Sequence, residues 1–284
     1  SIQYQNANNS VRVTDEFMQR AERGEDWELI ARTEEHKAVA SHDASDMLRQ
    51  IADAAWQCAD PGVQYDTTIN DWHTCPNSGR INASNPCSEY MHVDDSACNL
   101  ASINLMKFVG EDGEFDAGSF AKACETFITA QEILVDNASY PTKAIGRNSR
   151  EYRPLGLGYA NLGALLMSRG LPYDSDGGRA IAAAVTAILT SSAYVASAEL
   201  AGRVGTFPQF YRNRQAMRKV IDMHRKAVKG ISDQHCPAYL IAAAEAMWSR
   251  AYAAGEESGF RNAQVTVLAP TGTISFMMDC DTTG

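Results

Sequence analysis

No CxxC pair occurs in this 284-residue sequence, although it holds seven cysteines: Cys58, Cys75, Cys87, Cys98, Cys124, Cys236 and Cys280. An odd number in a chain of this length argues against a disulfide scaffold. It favours reduced, reactive thiols in a cytoplasmic protein. An excess of positive charge is also lacking. The net charge of −10 argues against a general nucleic-acid or polyanion binder, while one local pocket can still take a small anion. The opening residues, SIQYQNANNS, are polar and give no secretory signal. The one long uncharged stretch, 180–198, is alanine-rich and interrupted by Thr186, Thr190, Ser191, Ser192 and Ser197. A spanning helix is strongly apolar, so a buried helix and no membrane partner are expected. No repeat, low-complexity tract or flexible linker is visible.

What is present is ordinary for a soluble globular chain: 45% hydrophobic and 21% charged residues, enough for a substantial core in one large or two small domains. The sequence starts without methionine and stops on CDTTG, which is expected of a segment cut from a longer protein. Periodicity predicts helices over 13–23 (capped by Thr14, with Asp15 and Glu16 in the first turn) and over 41–58. Further helices are predicted over 119–139, 177–201, 213–229 and 236–254. The stretch after Cys98, CNLASINLMKF, reads as helical, and RPLGLGYANLGALLMSRG reads as a turn feeding a helix. NAQVTVLAP is a strand candidate through Val265, Val267 and Leu268. Residues 62–93 have no helical period, and a long irregular stretch of this kind is often functional.

Within that stretch stands NPCSEY. Proline extends the residue before it, so Asn85, Cys87 and Glu89 are expected at alternate positions on one face of an extended segment. An amide, a thiol and a carboxylate within hydrogen-bond reach suit radical or nucleophilic thiol chemistry. The bland alternative is a small buried cysteine in a polar loop. APTGTIS, 269–275, leads a strand into a turn rich in hydroxyls, whose backbone amides suit a phosphate. It lacks the Walker lysine, and alone it reads equally as a capped turn. Gly156 and Gly158 lack a third glycine, because Asn161 stands there. Tight helix packing explains them better than a dinucleotide site. His73, Cys75, Cys87, His92 and Cys98 do not match zinc spacing. The basic residues of 212–229 read as a solvated helix face.

Taken together and in order, NPCSEY, ACNLASINLMKF, RPLGLG and APTGTISFMMDCDTTG resemble the large catalytic subunit of ribonucleotide reductases. Residues 60–108 and 262–284 resemble the adenosylcobalamin-dependent class II enzymes in particular. The resemblance implies an α/β fold: the central part of a ten-stranded α/β barrel with a finger loop through its middle, helix-rich in this segment. It implies a thiyl radical on Cys87 that takes the ribose 3′-hydrogen, Glu89 as acceptor of the 3′-hydroxyl proton, and Asn85 as ribose ligand. Cys98 matches one member of the redox-active cysteine pair, whose other member lies upstream of this chain. Thr271, Gly272, Thr273, Ile274 and Ser275 match the substrate-phosphate loop. The implied cofactor is adenosylcobalamin. The implied partners are a ribonucleoside di- or triphosphate and a dithiol reductant such as thioredoxin, with a homodimer in the complete protein.

Alternatives remain at this stage. A class I large subunit would draw its radical from a second, metal-containing protein. A glycyl-radical enzyme on the same barrel needs a glycine motif that this sequence does not show. From a different class, a non-catalytic, zinc-stabilised interaction domain could be built on residues 73–98.

Overall fold

A computed structural model describes residues 7–34 and 36–284; the first six residues of the polar start lie outside the described residues. The chain divides after Trp72 into two units.

The first unit holds β1 (Ser10–Val13), α1 (Asp15–Arg23), β2 (Asp26–Ile30), β3 (Ala38–Asp43), α2 (Ala44–Cys58), β4 (Gly62–Tyr65) and α3 (Asp66–Asp71). The predicted cap is present: Thr14 accepts the Phe17 N–H, and Gly24 ends α1 in the left-handed region. The second predicted helix starts three residues late, because 41–43 pair with β2 as the end of β3. β1 and β4 pair in parallel. Arg12 on β1 donates to the Asp66 carboxylate at 2.9 and 2.7 Å. A small core of Val13, Phe17, Ala21 and Ala44 lies beneath.

The second unit begins with an irregular stretch and continues through β5 (Asn99–Asn104), α4 (Ala117–Asn137), α5 (Lys143–Tyr152), β6 (Leu155–Ala160) and α6 (Leu162–Ser168). It then runs through α7 (Asp176–Val204), α8 (Phe210–Ala227), α9 (Ala238–Ser258) and α10 (Gly272–Met278). Two expectations are corrected here. The start of CNLASINLMKF is strand β5, followed by one turn of 3-10 helix, and RPLGLG leads directly into strand β6. The two pair in parallel, Asn99 opposite Leu155 through Asn104 opposite Ala160. Short apolar runs do not distinguish strand from helix by period, and parallel strands covered on both faces lose their alternation. Every residue of β6 is buried. On its other edge β6 bonds the 264–267 segment: Leu155 N–H donates to Gln264 O, Leu157 N–H to Val265 O, and Val267 N–H to Leu157 O. The strand candidate there is corrected to an isolated parallel bridge, Thr266 opposite Leu157, beside the two-stranded β5–β6 sheet.

Helix α7 is the core helix. It packs against α9 and α4 and buries residues around its whole circumference, including Ile188, Leu189, Ser191, Ser192 and Ser197. By length and composition it could cross a membrane, but most of its apolar stretch is buried within the unit. Two of its hydroxyls bond back to the helix, Ser191 to Ala187 O at 2.6 Å and Thr186 to Ala182 O at 2.7 Å, while Ser192 Oγ is buried without a partner. Small side chains let neighbouring helices approach closely. The buried-helix reading of 180–198 therefore fits.

One buried ionic node ties the layers together. Glu132 on α4 accepts from Arg153 Nε at 2.5 Å, Arg261 Nε at 2.6 Å and Asn262 Nδ2 at 2.6 Å. Arg153 also forks onto Asp136 at 2.9 and 2.8 Å. Arg153 itself sits in the left-handed region (φ 51°) as the cap that ends α5 and starts the approach to β6. Bidentate, fully bonded geometry is what lets such charges remain buried.

Candidate active site

The NPCSEY segment is a tight turn and not an extended strand. Ser84 and Met91 form an antiparallel bridge. Ser88 N–H donates to Asn85 O at 3.0 Å, and Ser88 takes φ 62°. Proline at the second position presets the reversal, so the alternation predicted for Asn85, Cys87 and Glu89 is broken at Ser88. The outcome still separates the three side chains usefully. Asn85 Oδ1 accepts the Tyr90 N–H across the turn at 2.9 Å. Cys87 stands exposed near the tip. Glu89 lies past the turn, with Oε2 buried and without a hydrogen-bond partner. An unpartnered buried carboxylate oxygen needs an explanation, and a substrate hydroxyl is one.

Glu89 faces Cys98, which immediately precedes β5. Burial first, and then the Glu89 charge, push the Cys98 thiol up to about 12. The thiol is therefore held protonated. Gly156 on β6 makes room for it: a Cβ there would fall on Cys98 Sγ and lie 2.8 Å from both Leu100 Cδ2 and Val267 Cγ2. A Cβ on Gly158 would strike Val267 O. The glycines thus serve close approach of neighbouring strands, and not the helix packing inferred from sequence.

Tyr90 and His92 back the turn. The Tyr90 hydroxyl donates to Ser96 Oγ at 2.9 Å, and its ring stacks on His92 with centroids 6.0 Å apart. His92 is buried with both ring nitrogens unpartnered. Burial, then neighbouring His73, push it down to about 3, so it is neutral at physiological pH. These two residues border a cavity of about 270 Å³ that Asn85 also lines.

The zinc alternative does not survive the geometry. His73 Nε2 lies 3.0 Å from Gly79 O, and its Nδ1 accepts the Cys75 N–H at 3.3 Å. Both nitrogens are spent on backbone. Cys75 is sealed in the core, and burial pushes its thiol up to about 12. Among the described residues no group of three or more His, Cys, Asp and Glu could hold a metal ion.

The 271–275 turn lies at the start of α10. Thr271 has φ 56° and gives no side-chain cap. Its hydroxyl donates to Pro270 O at 2.7 Å, and Ser275 Oγ donates to Gly272 O at 2.7 Å. Those two buried hydroxyls are occupied by the chain itself. The first-turn amides of Gly272, Thr273 and Ile274 have no intrahelical acceptor, and Thr273 is exposed. Sequence reasoning missed Tyr90, the reason for Gly156, and Asn161. A glycine inside a strand was the available signal for the second.

Two thiols flanking a carboxylate with a free oxygen, set against parallel strands, suit an α/β enzyme that works by thiol redox chemistry. A narrower placement follows from known proteins. The chain belongs to the ribonucleotide reductase barrel domain family, whose model matches residues 1–284. It is 58% identical over 285 residues to a vitamin B12-dependent ribonucleotide reductase of Rhodopirellula baltica, covering 100% of this chain and 27% of the relative. It is 54% identical over 292 residues to one of Streptomyces clavuligerus, covering 100% and 30%. It is 32% identical over 271 residues to a vitamin B12-dependent ribonucleoside-diphosphate reductase of Mycobacterium tuberculosis, covering 95% and 33%. The chain thus spans between a quarter and a third of the length of these relatives.

Proposed function

We propose that this segment is the central part of the catalytic barrel of a cytoplasmic, adenosylcobalamin-dependent ribonucleotide reductase. It would reduce ribonucleoside di- or triphosphates to 2′-deoxyribonucleotides, with a dithiol such as thioredoxin as final reductant and a homodimer as the complete assembly. The observation that carries this is the turn: an exposed thiol at Cys87, two residues before a Glu89 whose Oε2 is buried and unpartnered and which faces a protonated Cys98. The names of the relatives favour the cobalamin-dependent class over one with a separate radical-generating subunit.

The chemistry of the turn fits the cofactor, because Cys87 is exposed while Cys75 and Cys124 are sealed in the core. When bound to the complete protein, adenosylcobalamin supplies the one-electron oxidant for a thiol. The chain's own residues then divide the work. Cys87 sulfur takes the 3′-hydrogen of the ribose. Glu89 Oε2, free of other partners, takes the 3′-hydroxyl proton. Asn85 has committed its oxygen to Tyr90, so its Nδ2 is the end left to donate to the ribose. Cys98, kept protonated by burial, delivers a proton to the departing 2′-hydroxyl, which leaves as water. Cys98 and its upstream partner, becoming a disulfide, then pass a hydrogen atom to C2′ and one electron to the 3′-keto group, which Glu89 reprotonates, and Cys87 returns its hydrogen to C3′. The amides of 272–274, with the Thr273 hydroxyl, take the substrate phosphates.

Two variants of the complete reductase test the assignment. Cys87→Ser should abolish reduction while nucleotide still binds. Cys98→Ser should still release tritium from a 3′-tritiated nucleotide without clean deoxynucleotide formation. Equal, mild losses from both would overturn the roles.

A further inference from the structure

We propose that Asn161 is a positioning residue for the 271–275 turn, acting through the 281–283 segment; this rests on the reading of that turn as the phosphate site. Asn161 sits between β6 and α6, 6% exposed, with φ 70°. Its N–H donates to Thr282 O at 2.8 Å, and its Oδ1 accepts the Asp281 N–H at 2.8 Å. Its Nδ2 donates to Asn104 Oδ1 at 2.9 Å, an oxygen that also accepts the Met106 N–H at 3.0 Å. Leu162 N–H donates to Thr283 O at 2.9 Å. One amide side chain thereby pins the 281–283 segment to the end of β5, while two backbone amides bind it to the end of β6.

The same segment holds the turn. Thr283 N–H donates to Pro270 O at 3.4 Å, its hydroxyl donates to Ala269 O, and it stands 3.1 Å from the Thr271 hydroxyl. Thr271 is β-branched with positive φ, a conformation that persists only when its surroundings hold it. Glycine at 161 would tolerate the backbone angle but lose both side-chain bonds. Aspartate would keep an acceptor but lose the donor, and would face an Asn104 oxygen that is already accepting. The position calls for an amide, because it must donate to one neighbour and accept from another. In this arrangement the strand that follows the Cys98 thiol and the turn that takes the phosphates are fixed to one another through Asn161 and Thr283.

The test uses the complete reductase, with inorganic pyrophosphate as a competitive probe of the phosphate site. Wild type should be inhibited competitively. Asn161→Gly and Thr283→Val should each raise the nucleotide KM and the pyrophosphate inhibition constant about tenfold, the loss of roughly one net hydrogen bond. Their kcat should stay within about threefold of wild type. Thr283→Ser, which keeps the hydroxyl, should restore both constants. The double variant should be less than additive, because both changes release the same segment. An unchanged inhibition constant in both variants, with wild type inhibited, overturns the positioning role alone. No competition in wild type overturns the phosphate reading and this proposal with it. If Asn161→Gly does not fold, Thr283→Val at the partly exposed position 283 decides by itself.

Discussion

Gly156→Ala probes the packing around the Cys98 thiol most sharply. The added Cβ would fall on Cys98 Sγ and approach Leu100 Cδ2 and Val267 Cγ2 to 2.8 Å. Real Cβ atoms do not occupy such space, so the strand or its neighbours must shift. Overpacking of this kind costs about 1–3 kcal/mol. For a unit of this size each kcal/mol lowers Tm by roughly 2–4 °C, so a fall of about 2–12 °C is expected. Scanning calorimetry of the complete protein reads it directly. Gly230→Ala is the control, since a Cβ there meets nothing within 4 Å. It should be neutral, or stabilise by about 0.4–1 kcal/mol through the unfolded chain. Cys98→Ala in the same background removes the worst clash and should recover part of the loss, leaving the Leu100 and Val267 contacts. A Gly156→Ala protein melting within about 1 °C of wild type would refute the claim that glycine there makes room for the thiol.

Other perturbations test the framework and the turn. Glu132→Ala leaves the buried Arg153 and the half-buried Arg261 without their shared carboxylate, and should cost about 3–5 kcal/mol in urea denaturation; a loss below about 1 kcal/mol would show the node to be dispensable. Burial holds His92 neutral down to about pH 3 in the folded state, against about 6.5 when unfolded. The unfolded chain therefore binds the extra proton first. Stability is complete above pH 6.5 and falls by about 1.4 kcal/mol per unit as pH drops from there toward 3. His92→Phe should flatten the measured slope by that amount, and an unaltered slope would contradict the burial argument.

Much of the helical frame is legible from the sequence. Thr14 followed by an acidic first turn marks the start of α1, and the structure shows Gly24 closing it. The apolar spacing of 119–139 and 236–254 gives α4 and α9 to within a few residues. The parallel strands are harder to read. β6 carries no alternation, because it is buried along its whole length and a strand covered on both faces has no polar side to alternate with. Gly156 and Gly158 make β6 resemble a turn until the strand that presses against them is known. The family resemblance proposes the site as a set of residues, but its geometry is not legible. Proline before Cys87 predicts extension at Asn85, yet the positive φ at Ser88 reverses the chain. Which carboxylate meets which thiol depends on that reversal. In the sequence Asn161 reads only as a missing glycine. Its bonds run to residues 57 and 120 positions away, and no local pattern announces them.

The central claim is radical reduction of a ribonucleotide that begins at Cys87. Its most direct test is an assay of CDP and CTP reduction by the complete natural chain with dithiothreitol, with and without adenosylcobalamin, beside its Cys87→Ser variant. The account predicts deoxynucleotide only with the cobalamin and only with Cys87 intact. Product without cobalamin, or from the Cys87→Ser protein, would contradict it.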